Sequence, residues 1–442
     1  MSGQAGHHGL RGRFRSGITW NSVAVLVVNG ATFAVTVLAA NMLGKRLFGA
    51  YAVVQSTLMT VAMIATFATG AMTAKYVAEF RSAAKERAGR VLALCQLFAL
   101  ASGLVAAGLV ILGRHWLAAH VLREPALAGS LAIAAAAIPF LILNAVQTGA
   151  LVGLEQFKSV AQSGVWTSLQ FIALAAFALW AGGMEGAFAA FGINALSQFL
   201  LLRWHLGKRL STHGIAVDYR TCWKERNILH RFALPAAMSG FTAMPALWLA
   251  NVCLVRQADG YSQMAEYGAA NTLRLMVLIL PNIVSVVGLS MLNYQKGLGD
   301  DYTYRRTYLA GLALCAGAVL GGVAAMLLAG PWLLAIFGKG FGQSHTVLLI
   351  LLLSTLPEAM AVSAYQVIQS QEKMWLSFFL VALPRDGAIV FLAAIWAPVF
   401  GAAGLACAYA AGWLVALLSI LLLVRRLGLK ADPRSSSLAA VS

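Results

Sequence analysis

The sequence predicts an all-helical integral membrane protein with about twelve transmembrane helices. Hydrophobic residues make up 60% of the 442 residues and charged residues only 11%, a composition outside the range of ordinary soluble domains. Apolar runs of about 20 residues, each able to cross a hydrocarbon core of about 30 Å, recur from Ile18 to Val424. Because these runs lack the period-2 alternation of barrel strands, we expect every span to be a helix.

The spans follow one another closely, and the loops between them are too short to fold into a separate soluble domain. Each span ends where charged or turn-forming residues interrupt the apolar run. We place the twelve spans at residues 18–40, 50–74, 91–112, 127–152, 159–181, 186–203, 232–255, 267–292, 307–329, 345–370, 375–397 and 401–424.

The basic residues predict the orientation of the protein in the membrane. With these spans, 24 of the 32 Lys and Arg residues fall on one side and six on the other. Short cytoplasmic loops carry an excess of Lys and Arg, so we expect a multi-pass protein with both termini in the cytoplasm. The same rule accounts for the net charge of +17, and we expect no nucleic-acid partner.

The longest polar stretch divides the chain into two halves of six spans that resemble each other. Residues 47–52 before span 2 are similar to residues 264–269 before span 8, and Pro139 in span 4 corresponds to Pro357 in span 10. We therefore expect two six-helix lobes related by a pseudo-two-fold axis along the membrane normal. The predicted divisions are a basic cytoplasmic tail at 1–17, lobes at 18–203 and 232–424, a cytoplasmic linker at 204–231 and a cytoplasmic tail at 425–442.

No sequence motif for catalysis or for cofactor binding is present. The five cysteines and eight histidines are scattered without the spacing of metal ligands. The chain contains no P-loop, nucleophile elbow or dinucleotide fingerprint. We expect no catalytic residue, no metal and no cofactor, and the function is predicted to be transport rather than catalysis.

Four ionisable residues lie within the predicted spans, where a charge costs about 2.5–3.5 kcal/mol on insertion scales. Arg274 and Arg385 would bind an anionic group of a substrate, because the arginine fork donates two parallel hydrogen bonds to phosphate. Glu358 and Asp386 would balance these charges or bind a coupling proton or cation. The alternative is a structural ion pair that fixes helix register. Glu358 and Arg385 lie at similar depth on consecutive antiparallel spans, so they are candidate partners of each other.

Uncharged polar residues within the spans are further candidates for a substrate path. Asn29 lies in span 1, Asn144 and Gln147 share a face of span 4, and Asn271 lies in span 8. The alternative role is hydrogen bonding between helices, at about 0.6 kcal/mol each.

Short motifs at the ends of several spans resemble a known family. These are residues 43–51 (LGKRLFGAY), the exit of span 2 with residues 76–79 (YVAE), the turn at 153–158 (GLEQFK), Leu234 with Pro235, and residues 336–341 (IFGKGF). They resemble Wzx-type oligosaccharide flippases, of the polysaccharide transporter group in the superfamily that also holds multidrug-and-toxin extruders (MATE) and lipid II flippases.

The resemblance implies a MATE-like V-shaped bundle that moves an undecaprenyl-diphosphate-linked oligosaccharide from the inner to the outer leaflet by alternating access. It implies a bacterial cytoplasmic (inner) membrane location and O-antigen, capsule or exopolysaccharide biosynthesis. Expected partners are this substrate, membrane lipids, and a polysaccharide polymerase with its chain-length regulator. Two other functions stay open: a cation-coupled small-molecule antiporter, which favours acidic cavity residues, and a membrane enzyme or scaffold of glycan assembly.

Overall fold

Helices make up nearly all of the described chain, which in this computed structural model comprises residues 4–228, 242–298, 301–338, 340–371 and 373–427. These residues contain no β-strand, and side chains are described from Val25 onward. The predicted motif at Leu234 and Pro235, Lys339, and the tail from residue 428 lie outside the described residues.

The helices of the described chain are numbered here in order. Short π-helical turns at Leu117–Val121 and Phe378–Ala382 and 3-10 turns at Cys222–Glu225 and Gly342–Ser344 connect some of them. The α-helices are α1 Gln4–Thr66, α2 Thr69–Ala83, α3 Lys85–Trp116, α4 Leu127–Ala135, α5 Ile138–Gly153, α6 Phe157–His213, α7 Ala243–Val255, α8 Gly260–Leu298, α9 Asp301–Ile336, α10 His345–Ser370, α11 Met374–Ser377 and α12 Leu383–Leu427.

Within the described residues, eight helical stretches are long and apolar enough to cross a membrane. Three of these, Val25–Ala83, Phe157–His213 and Trp375–Arg426, contain 59, 57 and 52 residues, more than twice the length of one span. Each is broken by non-helical glycine: Gly44, the pair Gly182 and Gly183, and Gly401. Each break divides one stretch into two spans, so the eight stretches correspond to eleven spans. The shorter apolar helix α7 corresponds to the remaining one of the twelve predicted spans. The predicted fold class is confirmed.

The chain forms two compact units. Unit 1 contains residues 1–44 and 53–244, and unit 2 contains residues 45–52 and 245–442. Residues 45–52 leave unit 1 at Gly44, whose φ of +73° suits glycine, and pack in unit 2. There the ring of Phe48, 1% exposed, lies 6.4 Å from that of Phe337 and 6.1 Å from that of Phe341. By its position in the sequence, this segment belongs to the first half of the chain.

A close backbone approach joins α2 and α5 in unit 1. A Cβ atom added to Gly149 would lie 2.1 Å from the carbonyl oxygen of Gly70, so only glycine fits. Span 4 is divided between α4 and α5, and Pro139 stands in the first turn of α5, where the missing N–H costs no hydrogen bond. Pro357 instead lies inside the unbroken helix α10.

The linker after α6 folds back onto the start of α3. Of the predicted linker at 204–231, residues 204–213 continue α6 as helix, and residues 229–231 lie outside the described part of the chain. Glu225 accepts hydrogen bonds from Arg87 Nε at 3.0 Å and from Arg90 Nη2 at 3.2 Å. Cys222 is fully buried beside Ala93 and Leu94. A buried carboxylate shared by two arginines therefore holds this segment on α3.

Candidate functional site

A buried cluster of charged side chains lies in unit 2, on α8, α10 and α12. Its centre is Arg274, which is 4% exposed. Arg274 Nε donates to Asn271 Oδ1 at 2.9 Å, and Nη1 donates to the Glu358 carboxylate and, at 2.8 Å, to the Tyr409 hydroxyl. Helices from three parts of unit 2 thus supply partners to one guanidinium group.

The aromatic ring of Tyr409 is a further part of the environment of Arg274. The guanidinium carbon lies 4.5 Å from the ring centroid, and a desolvated cation over an aromatic face contributes up to about 2 kcal/mol. The Tyr409 hydroxyl also bonds to Glu358. Tyr409 therefore contacts both members of the ion pair.

A second ion pair lies next to the first. Arg385 Nε donates to Asp386 Oδ1 at 2.7 Å, and the Arg385 guanidinium carbon lies 4.7 Å from the ring centroid of Trp413. The Trp413 ring packs edge-on against Tyr409, with centroids 6.3 Å apart. Asp386 is 3% exposed, and its Oδ2 has no hydrogen-bond partner among the described residues. Two aromatic side chains in edge-to-face contact therefore connect the two pairs.

The cluster corrects the candidate pairing drawn from the sequence. Glu358 pairs with Arg274 rather than with Arg385, and Arg385 bonds to its chain neighbour Asp386. Depth along the spans made Glu358 and Arg385 plausible partners, but pairing also requires that both helices turn the two side chains toward each other. The packing of α8 against α10 turns the side chains of Arg274 and Glu358 toward each other. Arg385 still interacts electrostatically with Glu358.

The two arginines and two carboxylates balance each other's charge. This balance matters because an unpaired charge in a low-dielectric interior is strongly destabilising.

Small residues let the three helices approach closely enough to form the pairs. Ala270 on α8, Ala359 on α10 and Ala408 on α12 are all buried.

The remaining predicted site residues lie in unit 1 and not in this cluster. Asn144 and Gln147 are buried on α5, and Asn144 Nδ2 donates to the Ala195 carbonyl of α6 at 3.0 Å. Asn144 Oδ1 and Gln147 Oε1 have no hydrogen-bond partner among the described residues. Asn29 is exposed, and its amide donates to the Val25 carbonyl of its own helix at 2.7 Å. Of the uncharged candidates, the structure brings only Asn271 into contact with the charged cluster.

Tyr409 and Trp413 are not among the site residues predicted from the sequence. The available signal was their spacing, because residues at i and i+4 share a helix face. Both also lie well inside the last span, away from the interfacial position that aromatic residues with polar tips prefer. Among the described residues, no group of three or more His, Cys, Asp or Glu side chains is arranged to hold a metal ion.

The fold and the apolar helices define a multi-pass, all-helical membrane protein. The sequence matches the polysaccharide biosynthesis protein family over residues 14–288, more than half of the chain, and the chain belongs to this family. The resemblance drawn from the short motifs is thereby confirmed. No curated protein matches the sequence significantly.

Solved structures with a similar fold include transporters described as members of the MOP superfamily and a lipid II flippase. An inward-facing multidrug resistance MATE transporter shares 17% identity, with a TM-score of 0.74 over 95% of this chain and 99% of the other. The lipid II flippase MurJ, in an inward closed conformation, shares 16% identity, with a TM-score of 0.72 over 92% and 87%. A MOP superfamily transporter from Pyrococcus furiosus, described as having a binding pocket of reversed polarity, shares 16% identity, with a TM-score of 0.66 over 93% and 95%.

Proposed function

We propose that this chain is a flippase that moves an undecaprenyl-diphosphate-linked oligosaccharide from the inner to the outer leaflet of the bacterial cytoplasmic membrane. The observation that carries the proposal is the buried arginine Arg274 in a membrane-spanning helix, held by Glu358 and Tyr409. Membership of a polysaccharide biosynthesis family supports a glycan substrate.

The chemistry of the cluster suits the diphosphate part of such a substrate. Arginine donates parallel hydrogen bonds to phosphate oxygens, and here Glu358 occupies the N–H groups that a phosphate would use. In the proposed mechanism, the diphosphate replaces Glu358 at Arg274, and Glu358 then binds a proton or cation. Because such a diphosphate carries two negative charges, the buried region stays neutral only when Glu358 and Asp386 each take up one positive charge while Arg274 and Arg385 bind the phosphates, which avoids the cost of an uncompensated charge.

Asp386 is the second candidate for ion coupling. Its Oδ2 is buried without a hydrogen-bond partner among the described residues, so it can accept a proton or a cation without losing a bond. Arg385 would then be released from Asp386 and would bind a second phosphate oxygen. Asn271, which accepts a hydrogen bond from Arg274 Nε, orients the guanidinium group. Asn29, Asn144 and Gln147 remain proposed contacts along a substrate path in unit 1.

Deletion of the gene in its host tests the function. We expect loss of surface glycan and accumulation of completed lipid-linked oligosaccharide, and both should be reversed by a plasmid copy of the parent gene. The double variant Arg274→Gln with Glu358→Gln removes both charges at once and should be produced normally but fail to restore surface glycan.

Other outcomes of the deletion would identify the competing functions. Unchanged surface glycan with a raised sensitivity to cationic drugs would indicate the small-molecule antiporter, whose fold this chain shares. An incomplete lipid-linked oligosaccharide would indicate an enzyme or scaffold of glycan assembly. A flippase would deliver its product to a polymerase and chain-length regulator, and in vivo cross-linking to those proteins tests this partnership.

A further inference from the structure

A polar cavity of about 590 Å³ opens at one end of unit 2, apart from the charged cluster. The lining residues lie at four connections between consecutive spans, which follow spans 1, 7, 9 and 11. All four connections must lie on the same side of the membrane, and the distribution of basic residues predicts that this side is the outside. The polar lining residues are Lys45, Gln257, Asp259, Gln263, Glu266 and Thr346.

The charge of this lining does not favour an anion. Lys45 Nζ is already held by Glu266 Oε1 at 2.5 Å, and Asp259 adds a further negative charge. No arginine is among the described residues that line the cavity. A diphosphate would be repelled here, whereas a neutral or cationic group rich in hydroxyls would not.

Gln263 offers an unused hydrogen-bond acceptor in this lining. Its Oε1 is buried and has no hydrogen-bond partner among the described residues, and its Nε2 makes only a 3.5 Å contact with the Ala258 carbonyl. The side chain lies against Gly401, where an added Cβ would be 2.0 Å from Oε1. Gly401 also has a φ of +59°, a conformation that favours glycine. The break in α12 thus makes the space that Gln263 occupies.

Apolar surface borders the polar groups on one side of the cavity. Phe400 is 65% exposed and lines the cavity together with Pro398 and Val399. A sugar ring presents C–H groups on its faces and hydroxyls at its edges, so it fits an aromatic surface next to amides and carboxylates. The volume lies within the range of about 300–1,000 Å³ that is typical of ligand pockets.

We infer that this cavity binds the saccharide part of the transported substrate. The inference rests on the proposed flippase function and extends it, because it assigns the sugars and the diphosphate to different sites in unit 2. Glu266 of the cavity and Arg274 of the charged cluster lie eight residues apart on α8, about 12 Å along the helix. An oligosaccharide attached to a diphosphate is long enough to reach both.

Binding to the purified full-length protein in lipid nanodiscs tests the inference. The probe is the repeat-unit oligosaccharide released from the host's surface glycan and free of lipid, and inorganic pyrophosphate is the second probe. The variants Gln263→Leu and Thr346→Val each remove hydrogen-bonding groups with little change in volume. We expect each to bind the oligosaccharide about three- to tenfold more weakly, the loss of about one hydrogen bond, and to bind pyrophosphate like the parent.

Gln369→Leu is the matched control, because Gln369 is exposed near the far end of α10 and the substitution is chemically the same. It should bind the oligosaccharide like the parent. The inference is overturned if the parent does not bind the oligosaccharide, or if Gln263→Leu and Thr346→Val bind it as the parent does. Either result, obtained with a parent gene that restores surface glycan in the deletion host, leaves the flippase function standing. Failure to restore surface glycan would refute that function separately.

Discussion

Arg274 shows how a single buried charge is accommodated in a membrane-spanning helix. Its guanidinium group has three hydrogen-bonding partners, Asn271, Glu358 and Tyr409, and the ring of Tyr409 as an additional contact. Each partner offsets part of the desolvation cost of the arginine. Such a pair is strongly sensitive to the loss of one member and less sensitive to the loss of both.

We predict that Arg274→Gln and Glu358→Gln, each alone, destabilise the protein by about 3–5 kcal/mol, because each leaves an uncompensated buried charge. The double variant should recover most of this stability. Thermal unfolding in detergent, followed by size-exclusion chromatography, measures the three variants against the parent.

The control for this cycle is Glu86→Gln. The side chain of Glu86 is 96% exposed, and its pair with Arg90 is a surface contact at 4.0 Å. Its loss should change stability by less than about 0.5 kcal/mol. Single variants at Arg274 and Glu358 that are as stable as the control would contradict the pairing.

At the scale of elements, glycine determines how closely helices approach and where long helices break. Gly70 and Gly149 bring the backbones of α2 and α5 into contact in unit 1, and Gly401 interrupts α12 in unit 2. At Gly108 and Gly192, in contrast, an added Cβ would have nothing within 4 Å. The same residue type therefore has different consequences at different positions.

We predict that Gly149→Ala lowers the unfolding temperature, because the added Cβ would lie 2.1 Å from the Gly70 carbonyl oxygen and α2 and α5 would have to separate. The expected loss is about 1–3 kcal/mol, as for overpacked cores. Gly192→Ala on α6 is the matched control, since nothing lies within 4 Å of its added Cβ. That change should be neutral or stabilising by up to about 1 kcal/mol. Equal unfolding temperatures for the two variants would show that α2 and α5 tolerate the methyl group.

We predict that Glu225→Gln loosens the linker segment 214–228 from α3, because Glu225 is the buried partner of both Arg87 and Arg90. Hydrogen–deuterium exchange should rise in residues 214–228 and at the start of α3, and stay unchanged in α10. Glu155→Gln is the control: the Glu155 side chain is 62% exposed and pairs with Arg81. If both variants exchange like the parent, the ion pairs do not hold the segment.

We predict that the turn around Asp218 in this segment depends on pH. The hydroxyl of Thr221 and the backbone N–H of Arg220 donate to Asp218 and lower the pKa of its carboxyl group. Because folding lowers this pKa, the ionised carboxylate of Asp218 stabilises the turn at pH values above the ordinary pKa of an aspartate. This stabilisation is lost as the pH falls through the lowered pKa of the folded state. Exchange in this turn should therefore rise only under strongly acidic conditions.

At the scale of the whole molecule, the order of segments along the chain differs from their grouping into the two compact units. Residues 45–52 lie between the first two spans in sequence but belong to unit 2. In that unit Gly49 lies so close to Tyr261 that an added Cβ would be 1.8 Å from its carbonyl oxygen. The two segments singled out as an internal repeat, 47–52 and 264–269, therefore lie in the same unit.

We predict that both termini and the linker lie in the cytoplasm. Reporter fusions after Arg231 and after Val424 should both be active as internal fusions, because the basic residues concentrate on that side. A fusion after Asp259, at the proposed saccharide cavity, should be external. An external signal after Arg231 or Val424 would refute the topology together with the internal repeat.

The amino-acid sequence predicts the class of protein and the approximate position of each span. In lipid the backbone must satisfy its own hydrogen bonds, so an apolar run of sufficient length has one solution, and local hydropathy is enough to find it. The cost of buried charge likewise singled out Arg274, Glu358, Arg385 and Asp386 without any structure.

The tertiary structure alone decided which of these residues are partners and where polar space remains. Pairing depends on the rotation and depth of helices that are distant in sequence, and many small packing contacts determine both. For this reason the sequence does not predict the Arg274–Glu358 pair, the contact of Tyr409 with Trp413 or the packing of residues 45–52 in unit 2. The cavity beside Gln263 was equally hidden, because it exists only where four separate connections meet.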